Sequence, residues 1–162
     1  GARLVSKIPF IKGCGVARLE LETFQDTGAD DNGLYFGLTD QDPSTFTNIL
    51  TPQQRGIYIA VKRIGSGKFY EVVRFDSSSG GFITTTSNVL VAVGDKLEIA
   101  RNGGNLEFCV YEKANADPNK RHVIYSQADD NLNRFVYAIL RSNVINLRIQ
   151  NLRIQLNPEN FF

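Results

Sequence analysis

Residues 88–111, NVLVAVGDKLEIARNGGNLEFCVY, constrain the fold more than any other part of the chain. Leu97, Ile99 and Arg101 alternate with Glu98 and Ala100. After Asn102-Gly103-Gly104-Asn105 the alternation resumes, with Leu106, Phe108 and Val110 against Glu107, Cys109 and Tyr111. Successive side chains of a strand point to opposite faces. Period-two alternation on both sides of a Gly-containing turn therefore specifies an antiparallel hairpin with one dry face. Val93-Gly94-Asp95, just ahead of it, is a second turn signal.

The rest of the chain has the same period. Residues 16–24 set Ala17, Leu19 and Leu21 against Arg18, Glu20 and Glu22, the pattern of a half-buried strand. Residues 34–38 form a buried strand interrupted by Gly37, which signals a bulge or a close approach to the backbone. Residues 57–64 and 68–75 flank Gly65-Ser66-Gly67 as a second hairpin. Residues 82–86, 121–126, 134–141 and 144–156 supply further strands. Only residues 51–55 and 129–134 could hold a turn of helix. Ten or more short strands without a helical period predict an all-β, antiparallel two-sheet sandwich or barrel. At 162 residues the chain fits one domain, 1–162, and its start at Gly1-Ala2 without an initiator Met suggests a piece of a longer protein.

Residues 146–155 hold a tandem repeat, NLRIQ-NLRIQ. In a regular strand a period of five would send the second Leu-Ile pair to the opposite face. Either a bulge at Gln150-Asn151 restores the register, or the segment is an edge that pairs with another subunit.

Charge excludes some function classes. A formal net charge of +1 gives no drive toward nucleic acid or anionic membranes. Arg141, Arg148 and Arg153 are the candidates for a hidden basic face, against the plainer alternative of solvated strand positions. No apolar run approaches the ~20 residues of a membrane-spanning helix, so no membrane insertion is expected. Cys14 and Cys109 are either bridged, closing a loop of roughly 95 residues, or two free thiols.

LYFGLTDQDP, the hairpin strand containing Phe69-Tyr70-Glu71, and VGDKLEIARNGGNLEFCVYE together resemble the concanavalin-A-like lectin/glucanase jelly roll. The versions most similar are those of phage and viral fibre heads and bacterial adhesins. The resemblance implies two antiparallel sheets, one concave, with carbohydrate often bound on the concave sheet or at its rim. It also implies an extracellular, cell-surface or virion-surface setting. The glucanase branch carries an acidic strand of the type E-x-D-x-x-E; the nearest match here, Glu20-Leu21-Glu22, lacks the third acid. Retaining glycosidases need two carboxylates ~5 Å apart. The expectation is accordingly a non-catalytic domain, not an enzyme, that binds a cell-surface glycan or glycoprotein. The alternatives are an oligomerising head domain without a sugar ligand, and a glucanase-like hydrolase.

The chain has no Trp, so any stacking platform must use Tyr or Phe. Tyr58 is opposite in parity to Ile57, Ile59 and Val61 and should face away from the core if they face in. Tyr70, across the hairpin, and Arg74 are assigned to the same face, and Tyr35 alternates with Leu34 and Phe36. Tyr35, Tyr58, Tyr70 and Arg74 are the candidate ligand-binding residues, against the alternative that they pack in the core. Asp26, Asp30, Asp31 and Asn32, with Asp40 and Asp42 one strand later, are candidate ligands for calcium, against a simple turn; no cofactor is required. The lone histidine, His122, reads as a surface residue. Phe161-Phe162 and the strand before them suggest a homo-oligomer, a trimer if the domain is a fibre head.

Overall fold

The structure is a computed structural model that describes residues 2–5, 14–23, 31–42, 55–75, 82–102, 105–128, 137–142 and 148–156. These residues form eleven strands: β1 (Ala2–Val5), β2 (Cys14–Thr23), β3 (Asp31–Thr39), β4 (Gly56–Ile64), β5 (Gly67–Phe75), β6 (Phe82–Leu90), β7 (Lys96–Asn102), β8 (Asn105–Tyr111), β9 (His122–Ala128), β10 (Tyr137–Ser142) and β11 (Arg148–Leu156). They make two antiparallel sheets, a six-stranded one in the order β1-β10-β3-β4-β5-β6 and a five-stranded one in the order β11-β2-β7-β8-β9. The all-β, two-sheet sandwich expected from the alternation is the fold observed. β1, only four residues long, is an addition to the strands read from sequence. The helical turns expected at 51–55 and 129–134 lie outside the described residues apart from Arg55, as do Phe161 and Phe162.

The dry face of each strand meets the other sheet. Leu34, Phe36 and Leu38 of β3 and Ile57, Ile59 and Val61 of β4 face Ala17, Leu19 and Leu21 of β2, Leu97 and Ile99 of β7, and Leu106, Phe108 and Val110 of β8 in one buried cluster. Each of these side chains other than Ala17, taken from water to the core, contributes about 1.5–3 kcal/mol before conformational entropy is charged against it.

Local chemistry fixes the registers. The β4–β5 hairpin closes with two residues, Gly65-Ser66, because Ile64 pairs with Gly67. Gly65 has φ of 60°, as a two-residue hairpin loop with Gly at its first position requires. In β6 the register slips opposite Tyr70. There the Ser87 hydroxyl donates to the Tyr70 carbonyl at 2.7 Å, and Val89, 2% exposed, drops into the core. In β11 the register slips between Gln150 and Arg153, with Asn151 at φ 53°, a left-handed conformation that Asn tolerates. The tandem repeat thus contains the bulge anticipated at Gln150-Asn151; Ile149, opposite Leu21, packs against the core, while Ile154, opposite Ala17, remains 43% exposed on the edge strand.

The turn before β7 is stitched from several sides. The Asp95 carboxylate accepts from the Tyr70 hydroxyl at 2.7 Å, the Ala92 amide at 2.9 Å and the Lys113 amide at 2.8 Å. Its backbone carbonyl accepts from the Leu21 amide, and the Leu21 carbonyl accepts from Gly94. Asp95 is 1% exposed, and these contacts join both sheets at that end of the sandwich.

Candidate functional site

The β4–β5 register decides which side chains can share a surface. Residues directly opposite in an antiparallel pair lie on one face. Tyr58 pairs with Val73, Tyr35 with Ala60, and Gly56 with both Thr39 and Phe75. Tyr35, Tyr58 and Phe75 therefore stand together on the outer face of the six-stranded sheet. Their ring centroids form a near-equilateral triangle of 5.9, 6.0 and 6.3 Å. The Tyr35 and Tyr58 rings meet edge to face at 84°, a favoured aromatic geometry. Tyr58, 4% exposed, is the floor of the cluster, and Tyr35 and Phe75 are half-buried.

Glycine makes room for this floor. A Cβ on Gly37 would lie 2.7 Å from Cδ1 of Tyr58, and one on Gly56 would lie 2.6 Å from its Cζ. Gly37, which signalled a close approach in the sequence, is approached by the Tyr58 ring.

Tyr70 and Arg74 belong to the opposite face. Tyr70 pairs with Val61 and Arg74 with Ile57, both core-facing positions. A three-residue loop over 65–67 would put Arg74 opposite Tyr58 and Tyr70 opposite Lys62. The two-residue loop shifts the pairing by one, and a one-residue slip turns every side chain over. Tyr70 is 0% exposed and serves as a core residue hydrogen-bonded to Asp95, so it cannot be part of an exposed platform. Burial, and then the Asp95 carboxylate, push its phenol well above the ordinary tyrosine range, which keeps it a donor.

Sequence reasoning missed the polar groups at the rim. β3 ends at Thr39, whose hydroxyl donates to the Arg55 carbonyl at 2.7 Å and accepts from the Gln41 amide at 3.2 Å. Asp40 follows, its Oδ2 3.1 Å from Nη2 of Arg55, with its side chain only 10% exposed. Among the described residues, its Oδ1 and the Oε1 of Gln41 are buried acceptors with no hydrogen-bond donor. Burying an acceptor without a donor costs about 1–3 kcal/mol, so two neighbouring ones invite an outside donor. They follow Thr39, the last residue of β3, which pairs with Gly56, and the Tyr58 hydroxyl points toward Gly56 at that end of the sheet. Asp40, one of the acidic residues the sequence offers as calcium ligands, pairs instead with Arg55.

Asp26 and Asp30 lie outside the described residues, and Asp31 and Asn32 are described only as backbone at the start of β3. Among the described residues, no three His, Cys, Asp or Glu side chains come together as a metal site.

The outer face of the five-stranded sheet carries an ion-pair ladder. Glu98, 3% exposed, accepts from Nε of Arg18 and Nε of Arg121, each at 2.9 Å, and Arg121 Nη1 reaches Glu107 at 2.7 Å. The Arg18 guanidinium lies 4.9 Å from the Tyr111 ring centroid. Burial pushes the Glu98 carboxyl up, but the hydrogen bonds and charges of Arg18 and Arg121 outweigh it and hold the carboxyl below the ordinary range. Cys109 lies beneath this ladder as a free buried thiol, so it is not bridged to Cys14. Burial pushes that thiol up to about 12. Of the three arginines proposed as one basic face, Arg141 stands on β10 of one sheet and Arg148 and Arg153 on β11 of the other. His122 Nδ1 lies 3.2 Å from Glu112, on a partly exposed strand start.

No family model and no curated protein sequence matches the chain. Solved structures do. The marine PL7 alginate lyase AlyA1 from Zobellia galactanivorans aligns with a TM-score of 0.51 and 12% identity, over 96% of this chain and 65% of that one. The alginate lyase from Klebsiella pneumoniae aligns with a TM-score of 0.50 and 8% identity, over 91% of this chain and 60% of that one. The fold is a concanavalin-A-like β-sandwich resembling that of PL7 alginate lyases. The jelly-roll resemblance read from the sequence holds at the level of fold; these two structures are lyases, neither a fibre head nor an adhesin. The chain spans less than two thirds of the length of either structure.

Proposed function

We propose that the protein is a non-catalytic carbohydrate-recognition domain and that the sugar binds on the outer face of the six-stranded sheet. The observations that support this most are the aromatic cluster of Tyr35, Tyr58 and Phe75 and, at the end of the same strand that carries Tyr35, the buried acceptors Asp40 Oδ1 and Gln41 Oε1. A sugar ring offers an apolar face for aromatic rings and hydroxyl donors for buried acceptors, so one ligand meets both needs. The fold shared with alginate lyases, which act on a polysaccharide, agrees with this class of ligand. The groups assembled are rings and acceptors, and the one carboxylate among them is already engaged by Arg55.

A glycan-array screen of the intact domain, followed by titration of the best ligand against Tyr35→Ala, Phe75→Ala and Asp40→Ala, tests this. Each variant should weaken binding by about tenfold or more, because lost stacking and lost hydrogen bonds are worth on the order of 1–2 kcal/mol each. Binding unaffected by all three variants would place the ligand elsewhere.

One observation favours an assembly role as the second reading. Ile64 and Leu90 are 49% and 57% exposed, and Gly67 between them brings Phe69 and Leu90 into one apolar patch. Such a patch suits a subunit contact. Light scattering on the wild type and on a Leu90→Lys variant would distinguish the two: a mass that falls with the substitution favours assembly.

A further inference from the structure

The bulge in β11 leaves a second cavity on the far side of the molecule, independent of the recognition face. It measures about 150 Å³ and is lined by Arg18, Leu19, Glu20, Lys96, Asn151 and Arg153. Three cations and one carboxylate line it, a formal excess of two positive charges. That volume equals roughly five waters at about 30 Å³ each, and lies below the ~300 Å³ at which pockets for drug-sized ligands begin. It fits one small polar group rather than a length of chain.

The register makes the charge arrangement unfavourable without a guest. Arg153 lies directly across the strand pair from Arg18. Like charges in that relation repel. Glu20 faces Lys96 across β2–β7, and its carboxylate accepts from Nε2 of Gln150 at 2.8 Å and Nδ2 of Asn151 at 3.1 Å across the bulge, so it is bonded to neither Arg18 nor Arg153. Arg18 is drawn to Glu98 and Tyr111. Among the described residues, Arg153 has no hydrogen bond or ion pair, and Lys96 lies across the β2–β7 pair from Glu20, whose carboxyl the Asn151 and Gln150 hydrogen bonds, and Lys96 without a direct bond, hold below the ordinary range. One uncommitted arginine, Arg153, and a lysine opposite Glu20 thus face one cavity, with Arg18 behind them, and the lining keeps a formal excess of two positive charges.

We propose that this bulge is a binding site for a single oxyanion group, a carboxylate or a sulfate, held by Arg153 and Lys96 with Arg18 adding charge. A guanidinium can grip either group through two parallel hydrogen bonds, and the ammonium contributes a point charge. The group is either free in solution or carried on an acidic sugar.

The test is thermal unfolding of the intact domain with sodium sulfate, sodium glucuronate or glucose, at ionic strength held constant with sodium chloride. Wild type is compared with Arg153→Gln and with the Lys96→Gln/Arg153→Gln pair. Arg153 is exposed, so its replacement leaves the core intact. In wild type, sulfate or glucuronate should raise the melting temperature in a saturable way, and glucose should not. A response to sulfate with none to glucuronate would identify a free or ester sulfate as the ligand; a response to glucuronate, a sugar-borne carboxylate. In Arg153→Gln the affinity should fall at least tenfold, while the melting temperature without anion stays equal to or above wild type, because the repulsion with Arg18 is gone. Equal anion responses in wild type and the double variant would reveal a general salt effect and overturn the site. So would a melting temperature that ignores both anions, or a clear loss of stability in anion-free Arg153→Gln, since Arg153 would then be a structural residue.

Discussion

Tyr70→Phe removes a single hydroxyl and nothing else from the core. That hydroxyl donates to Asp95 Oδ2 at 2.7 Å, and both residues are essentially unexposed. A hydrogen bond to a charged acceptor contributes about 1.5–3 kcal/mol. Asp95 keeps its Ala92 and Lys113 amide donors, so no carboxylate is orphaned and a loss of about 2 kcal/mol is expected. In a domain of this size that lowers the melting temperature by about 4–8 °C. Asp95→Ala is more severe. It strands the buried Tyr70 hydroxyl and two backbone amides, and should cost on the order of 4–6 kcal/mol, a third or more of a typical domain's stability. Because the two residues share one bond, the double variant should cost less than the two single losses added together. Urea unfolding of all four proteins gives the free energies, with unchanged slopes confirming that the native and unfolded states remain comparable. Tyr70→Phe within about 0.5 kcal/mol of wild type, or Asp95→Ala no worse than Tyr70→Phe, would refute the assignment of Tyr70 to this structural lock. Glycan affinity should be the same in Tyr70→Phe as in wild type.

The Glu98 carboxyl is held below its unfolded range, so its contribution to stability is present above about pH 4.5 and is lost as the pH falls through the lower, folded value. Glu98→Gln should flatten that acid limb of a stability-against-pH curve. Tyr70 is shifted the other way: its contribution is full below about pH 10 and fades as the pH rises through the folded value, and Tyr70→Phe should remove that alkaline limb. Cys109, with its thiol pushed up to about 12, should not react with a thiol reagent at pH 8 in the native domain and should react fully in denaturant. Gly37→Ala places a methyl 2.7 Å from the Tyr58 ring and against the Ile57 carbonyl, and should cost about 1–3 kcal/mol while altering the near-ultraviolet circular dichroism of the tyrosines.

The sandwich was legible because alternation is a local property. β7 and β8 could be read residue by residue, down to Asp95 as a turn residue and Gln150-Asn151 as a bulge. The site was less legible because it depends on pairing between strands. Tyr58 and Tyr70 each occupy well-defined positions in their own strands, but whether they share a face hangs on one residue of loop length. Gly67 belongs to the strand, and that single assignment sends Tyr70 inward and Phe75 outward. Phe75 was thereby missed, although its parity with Val73 was in plain sight. Asp40 and Gln41 gave no periodic signal at all. Their significance comes from burial at a strand end, which only the packed structure reveals. Glu98 gave no signal in the sequence beyond its alternation with Leu97 and Ile99, yet two arginines distant in sequence close over it.

A nuclear magnetic resonance titration of the isotope-labelled domain with the best glycan from the array tests the recognition face most directly. Shifts should concentrate on the rings of Tyr35 and Phe75, the amide of Gln41 and its neighbours at the end of β3, and leave the Tyr70 ring and the β7–β8 core unmoved. Saturable binding with shifts confined to the five-stranded sheet or to the Ile64–Leu90 patch would contradict the assignment of sugar binding to the outer face of the six-stranded sheet.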